Sequence, residues 1–161
     1  MPKRSNQFQK LIKFITDQLV PEGATVEESV ELEEMGVDNS SKREVDILIQ
    51  YDIGIAPIRI AIECRDRTRK DDITWIDGIA GKYKNLPVNK VIAISNSGFS
   101  STALQKAELN NIETLTLEEA TKMEWQKHFL KLGIAQINQR IDFHKAELTT
   151  VPALKEEISP D

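Results

Sequence analysis

The sequence predicts an α/β fold, a mixed β-sheet with helices on its faces in the order α-β-β-α-β-α-β. Three observations carry that expectation. Two short runs of alternating or continuous apolar residues, 45–49 and 58–63, are joined by a reversal containing Asp52, Gly54 and Pro57. Residues 91–117 read strand, helix, strand, which implies a crossover between parallel strands. Amphipathic segments with three- and four-residue apolar spacing precede and separate these runs.

In chain order, Phe8, Leu11, Ile12, Ile15 and Leu19 mark a first helix ended by Pro21 and Gly23. Residues 24–41 read as an acidic segment closing in a turn-rich loop at 36–41. Val45, Ile47 and Ile49 alternate as a strand, and 58–63 follow so closely that the two strands form an antiparallel hairpin. Asp71 and Asp72 are N-cap candidates for a helix carrying Ile73, Ile76, Ile79, Ala80 and Tyr83. Val91–Ile94 is short and wholly apolar, as suits a strand buried on both faces. Ser100 or Ser101 caps a further helix that stops at Asn110 and Asn111, and 112–117 form another strand. Residues 117–132 suit a helix, 134–148 suit helix or strand equally, and 151–161 read as an acidic linker or tail.

Composition narrows the function classes. One cysteine excludes an internal disulfide scaffold and a Cys-rich zinc module, and two histidines add too few soft ligands for structural zinc. No apolar run approaches the roughly 18–20 residues that span a bilayer. The amino-terminal residues lack the apolar core of a signal peptide, so no membrane association and a cytoplasmic location are expected. The net charge of −5 argues mildly against a generic nucleic-acid binder. The average conceals a segregation, however. Residues 22–46 hold nine acidic and two basic side chains, whereas residues 59–90 hold eight basic and five acidic. That basic middle is either a solvated surface or a surface for phosphates.

Chemistry concentrates in the hairpin. A turn between Gly54 and Ile55 places Asp46 opposite Glu63, with Cβ atoms about 4.5–5.5 Å apart. Two carboxylates there repel unless a cation lies between them. Mg²⁺ suits such a site, because it takes hard oxygen ligands and often uses only one or two protein carboxylates. The alternative is ordinary ion pairing of Asp46 and Glu63 with Arg43, Arg65 or Arg67.

The residues Phe8-Gln-Lys-Leu-Ile12, Arg43-Glu-Val-Asp46, Ile62-Glu-Cys-Arg-Asp66, Trp75 with Gly81-Lys82, and Ser95-Asn-Ser-Gly-Phe-Ser100 resemble, in order, the restriction-endonuclease-like PD-(D/E)xK nuclease superfamily. The closest branch is the Mrr-like type IV restriction endonucleases. The resemblance covers residues 7–120, most of the chain. It implies a restriction-endonuclease-like core over residues 1–120, with 121–161 a C-terminal helix or extension. It also implies metal-dependent hydrolysis of DNA phosphodiester bonds in restriction or defence, with Mg²⁺ as cofactor, Mn²⁺ able to substitute, and a homodimer.

Carried over residue by residue, Asp46 and Glu63 match the motif's metal-binding carboxylates, and the Cys64 carbonyl matches a further ligand. Arg65 stands where the family most often has its catalytic lysine, and Gln9 where many relatives carry a first-helix glutamate. Both are departures. An arginine can stabilise phosphoryl charge but cannot act as a general base. Lys82, on the following helix, is the candidate to take over that role, its alternative being a surface lysine that snorkels. Gln9 could hydrogen-bond a metal-bound water. Arg67, Arg69 and Lys70 could contact phosphates or form a solvated loop. Ser95, Ser97, Ser100 and Ser101 could bind phosphate or simply cap a helix. The departures at Gln9 and Arg65 keep a second reading open: a catalytically inactive nucleic-acid-binding or interaction module on the same fold. A third reading, a phosphate-binding α/β module unrelated to nucleases, rests on the serine-rich loop alone.

Overall fold

In the computed structural model, which describes residues 6–36, 41–52, 54 and 57–135, Asn6 opens the first helix by accepting the Gln9 N–H at 2.8 Å. Helix α1, Gln7–Leu19, buries Phe8 and Ile12 and ends just before Pro21. Strand β1, Thr25–Glu33, follows, and then the hairpin strands β2, Lys42–Asp52, and β3, Pro57–Arg65. Helix α2, Ile73–Tyr83, leads to strand β4, Lys90–Ser95. Helix α3, Ser101–Leu109, strand β5, Ile112–Thr116, and helix α4, Leu117–Lys122, complete the named elements. Residues 125–135 are helical as well.

The five strands lie in sequence order. β1, β2 and β3 are antiparallel, and β3, β4 and β5 are parallel. The predicted mixed sheet is therefore observed, with one strand more than expected. β1 lies within the first part of the acidic segment 24–41. Its signal is hidden because Glu27, Glu31 and Glu33 face solvent on an edge strand, where charge discourages further strand pairing. The 117–132 helix is also divided: α4 stops at Lys122 and a new helical segment starts at Trp125. The assignments for 37–40 and for the chain after residue 135 lie outside the described residues.

Two apolar layers sandwich the sheet. On one face α2 and α3 pack Trp75, Ile76 and Ala103 against Leu48, Ala61 and Ala93. On the other, Phe8 and Ile12 of α1 meet Ile47, Ile60, Ile62 and Ile92, together with Trp125 and Phe129. Trp125 and Phe129 are each 1 % exposed, so the 125–135 segment shares the core of α1 rather than forming its own. The Phe129 ring meets Tyr51 of β2 edge-on at 5.9 Å between centroids.

One irregularity in the sheet positions the site. Residues two apart in a strand normally share a face. In β2, Ile47 and Ile49 point to the α1 layer, yet Val45 points to the α2 layer. β1 changes face at the matching place, with Val26 toward α1 and Val30 toward α2. The paired residues Glu28–Ile47 and Val30–Val45 bracket the reversal, which falls on Ser29 and Asp46. Ser29 takes a positive φ of 54°, a left-handed conformation uncommon for residues other than glycine. The β2–β3 ladder ends at Ile47–Ile62, one residue short of Asp46 and Glu63.

Candidate active site

Where that ladder stops, backbone groups need other partners. The Asp46 carboxylate supplies one, its Oδ2 accepting the Cys64 N–H at 2.8 Å. Gln9 supplies another, donating its side-chain amide to the Asp46 carbonyl at 2.8 Å and to Ser29 Oγ at 3.3 Å. Gln9 is only 5 % exposed. Its amide group thus holds the β1–β2 reversal from behind, and through it the placement of Asp46.

Glu63 projects from β3 onto the α2 layer. Two consecutive α2 residues reach it: Lys82 Nζ lies 2.6 Å from Glu63 Oε1, and the buried Tyr83 hydroxyl donates to the same oxygen. Burial pushes the Glu63 carboxyl above its ordinary value, the Lys82 ammonium pulls it back, and the neighbouring Asp46 charge pushes it up again. Burial likewise raises the Cys64 thiol well above its ordinary value, helped by Asp46 and Glu63, so the sulfur stays protonated and is a poor metal ligand. The Cys64 carbonyl is better placed. A strand residue aims its N–H and C=O toward the same neighbouring strand, so this oxygen faces β2 beyond the end of the ladder.

These groups fit a hard divalent cation. Two adjacent carboxylates, one destabilised as an anion by burial and by the other, form an oxygen donor set with excess negative charge. With two carboxylates as the charged donors, the rest of the coordination sphere of such a cation would be water or substrate.

Arg65 stands apart from the carboxylate pair. Its guanidinium carbon lies 4.5 Å over the Trp75 ring, and Nη1 is 3.4 Å from Asp71 Oδ1. Trp75 in turn stacks on Phe99 at 5.8 Å with the rings 4° from parallel. Burial lowers the Arg65 pKa from its ordinary value, and the adjacent positive charge of Arg67 lowers it further. Arg67, Arg69 and Lys70 are exposed on the segment after β3. Arg67 shares a cleft of about 270 Å³ with Arg65, whereas Arg69 and Lys70 do not line it.

Sequence reasoning missed two contributors. Tyr83 reads as one more apolar position of α2, and nothing in the spacing marks its hydroxyl. Of the two cap candidates, Asp72 is the cap, accepting the Thr74 N–H at 3.1 Å. Asp71 is instead 2 % exposed and accepts Ser95 Oγ at 2.6 Å. Ser95 is itself fully buried, so it is not a surface phosphate ligand or a helix cap; Ser100 caps α3.

A mixed five-stranded sheet covered by helices on both faces defines an α/β domain. The sequence matches the restriction endonuclease family Mrr_cat over residues 7–123, and the chain belongs to that family. No curated protein matches the chain. Solved structures share the fold at low identity. A protein of unknown function, AF1548, has a TM-score of 0.55 at 16% identity, covering 69% of this chain and 58% of its own. Can2 from Sulfobacillus thermosulfidooxidans, solved with cyclic tetra-adenylate, gives 0.54 at 15% identity, with 73% and 33% covered. Protein VC1899 from Vibrio cholerae gives 0.50 at 12% identity, with 77% and 31% covered. The chain thus spans between about a third and three-fifths of the length of these structures. Among the described residues no helix is long and apolar enough to cross a membrane.

Proposed function

We propose that this chain is a divalent-metal-dependent endonuclease of restriction or defence that hydrolyses DNA phosphodiester bonds in the cytoplasm. The observation that carries the reading is the approach of Lys82 to within 2.6 Å of Glu63, beside a carboxylate neighbour whose charge Glu63 feels. Asp46, Glu63 and the Cys64 carbonyl would hold Mg²⁺, or Mn²⁺ in its place, and the cation would supply an activated water and neutralise phosphodiester charge. Lys82 takes the motif's cationic role. Its ammonium sits at the carboxylate pair and can lose a proton when desolvated, which the Arg65 guanidinium cannot. Tyr83 fixes the Glu63 rotamer, Gln9 fixes the Asp46 backbone, and Arg65, Arg67, Arg69 and Lys70 face the phosphate chain. The nuclease unit includes the 125–135 segment, whose Trp125 and Phe129 complete the α1 layer. Two copies act together as a homodimer, the commonest symmetry for soluble oligomers.

The test is a panel of DNA and RNA substrates incubated with Mg²⁺ or Mn²⁺, comparing the wild type with Asp46→Asn. Cleavage of DNA that is lost in the variant supports the proposal. Light scattering with and without DNA tests the dimer. An inert wild type that still binds nucleic acid would favour the binding-module reading, to which the arginine at position 65 lends some support.

A further inference from the structure

Arg65 is held by more machinery than a surface arginine needs. Asp71 sits under it at 2 % exposure, and every polar group of that aspartate is committed. Oδ2 accepts Ser95 Oγ at 2.6 Å and Oδ1 faces Arg65 Nη1. Its backbone N–H donates to the Gly98 carbonyl at 2.9 Å, and its carbonyl accepts the Ser100 N–H at 2.9 Å. A buried carboxylate is costly without a cation partner, and Arg65 pairs with it at 3.4 Å. Trp75, backed by Phe99, closes the flat side of the guanidinium. A planar fork stacked on an aromatic ring and paired at one edge is a seat for arginine rather than lysine.

Among the described residues only Nη1 of Arg65 has a side-chain hydrogen bond, so the rest of the fork remains for a ligand. It borders the 270 Å³ cleft, whose walls are Arg65, Arg67, Asp72, Thr74, Trp75 and Gly78. Two guanidinium side chains, Arg65 and Arg67, thus line one cleft, with Asp72 the one carboxylate on its wall. Arg65 shares the strand face of Glu63 two residues further on, about 6.7 Å along β3. That is roughly one step between neighbouring phosphates of a nucleic-acid strand.

We infer that the Arg65–Arg67 cleft binds the backbone phosphate next to the one at the carboxylate pair, and that Asp71, seated by Ser95, is the positioning residue for Arg65. This deepens the proposed function and rests on it for the identity of the strand.

The test measures DNA affinity against salt for wild type, Arg65→Ala, Asp71→Asn and the double variant, with Ser95→Ala as a second way to loosen Asp71 if Asp71→Asn does not fold. Arg65→Ala should weaken binding roughly 10-fold or more, and the slope of log affinity against log salt should fall by about one. Asp71→Asn should reproduce both changes, and the double variant should be no weaker than Arg65→Ala, as expected of residues acting through one group. Arg65→Lys should fall with Arg65→Ala. Mn²⁺ binding, followed by calorimetry, should be unchanged in all of them. A folded Asp71→Asn or Ser95→Ala protein with wild-type affinity and slope would overturn the inference. So would additive effects, loss of Mn²⁺ binding, or a wild type that binds no nucleic acid. Inorganic phosphate protecting the wild type from heat as well as an oligonucleotide of equal phosphate content would overturn the nucleic-acid source. Failure of cleavage with these couplings intact would count against the nuclease reading alone.

Discussion

Lys82 Nζ lies 2.6 Å from Glu63 Oε1, and the next residue, Tyr83, donates its hydroxyl to the same oxygen. The last turn of α2 is thereby fastened to the carboxylate end of β3. Of these two groups the ammonium is the one that brings a positive charge to Glu63. Lys82→Ala should lower the single-turnover cleavage rate roughly 10²–10⁴-fold, the range for a positioned acid–base group. DNA affinity should change little. Lys82→Arg should fail to restore the rate, because a guanidinium keeps its proton. Rates at saturating DNA and Mg²⁺ check this, and full activity in Lys82→Ala would refute the assignment.

Gln9 makes the opposite demand on its position. Its amide donates to a backbone carbonyl, which an ionised carboxylate cannot do. Gln9→Ala should destabilise the fold by about 1–3 kcal/mol, the cost of leaving a half-buried acceptor without its donor. Gln9→Glu should be at least as damaging. Urea unfolding of the two variants measures the effect. A Gln9→Glu protein as stable as wild type would show that Asp46 does not depend on this contact.

The hairpin register was legible in the sequence because side-chain period and turn position together fix it, although the ladder itself stops one pair short of Asp46 and Glu63. The observed pairs from Ile47–Ile62 to Tyr51–Ile58 keep the register that a turn at Gly54 and Ile55 dictates. β1 was not legible, since a mid-strand change of face at Ser29 scrambles the alternation and glutamates cover the exposed side. Asp71 was misread for a different reason. An aspartate before a helix looks like a cap, and only the return of β4 and its loop reveals that Ser95, Gly98 and Ser100 enclose it. Two contacts behind these side chains, Asp71–Ser95 and Gln9–Asp46, join residues 24 and 37 positions apart, beyond the reach of local periodicity.

His128 offers a pH test away from the site. Burial lowers its pKa, and Lys90 and Lys131 add to the decrease, while Glu113, with Oε2 3.3 Å from Nε2, opposes them. The folded protein therefore binds fewer protons than the unfolded chain below the unperturbed value of about 6.5. Stability should be full above that pH and fall as the pH drops through the lower folded value. His128→Gln should flatten that part of the profile. Melting temperatures between about pH 5 and 8 for the two proteins provide the comparison, and identical slopes would exclude His128 as the cause.

Removing charge from the metal-binding pair should separate stability from function. Burial disfavours the charged form of Glu63, Lys82 and Tyr83 offset part of that cost, and the Asp46 charge adds to it. Glu63→Gln keeps an oxygen acceptor for both partners and removes the charge. In EDTA the variant should therefore melt higher than wild type, since the burial cost of the carboxylate and its repulsion with Asp46 are removed and together outweigh the lost attraction to Lys82. Adding Mn²⁺ should raise the wild-type melting temperature, because a ligand that binds only the folded state stabilises it by mass action. The same addition should leave Glu63→Gln nearly unmoved, and Asp46→Asn should lose the response as well, though without the Cys64 N–H held by a full carboxylate its gain in EDTA should be smaller. Thermal shifts with and without Mn²⁺ read both quantities in one experiment. A Glu63→Gln protein that keeps the wild-type shift would place the metal elsewhere.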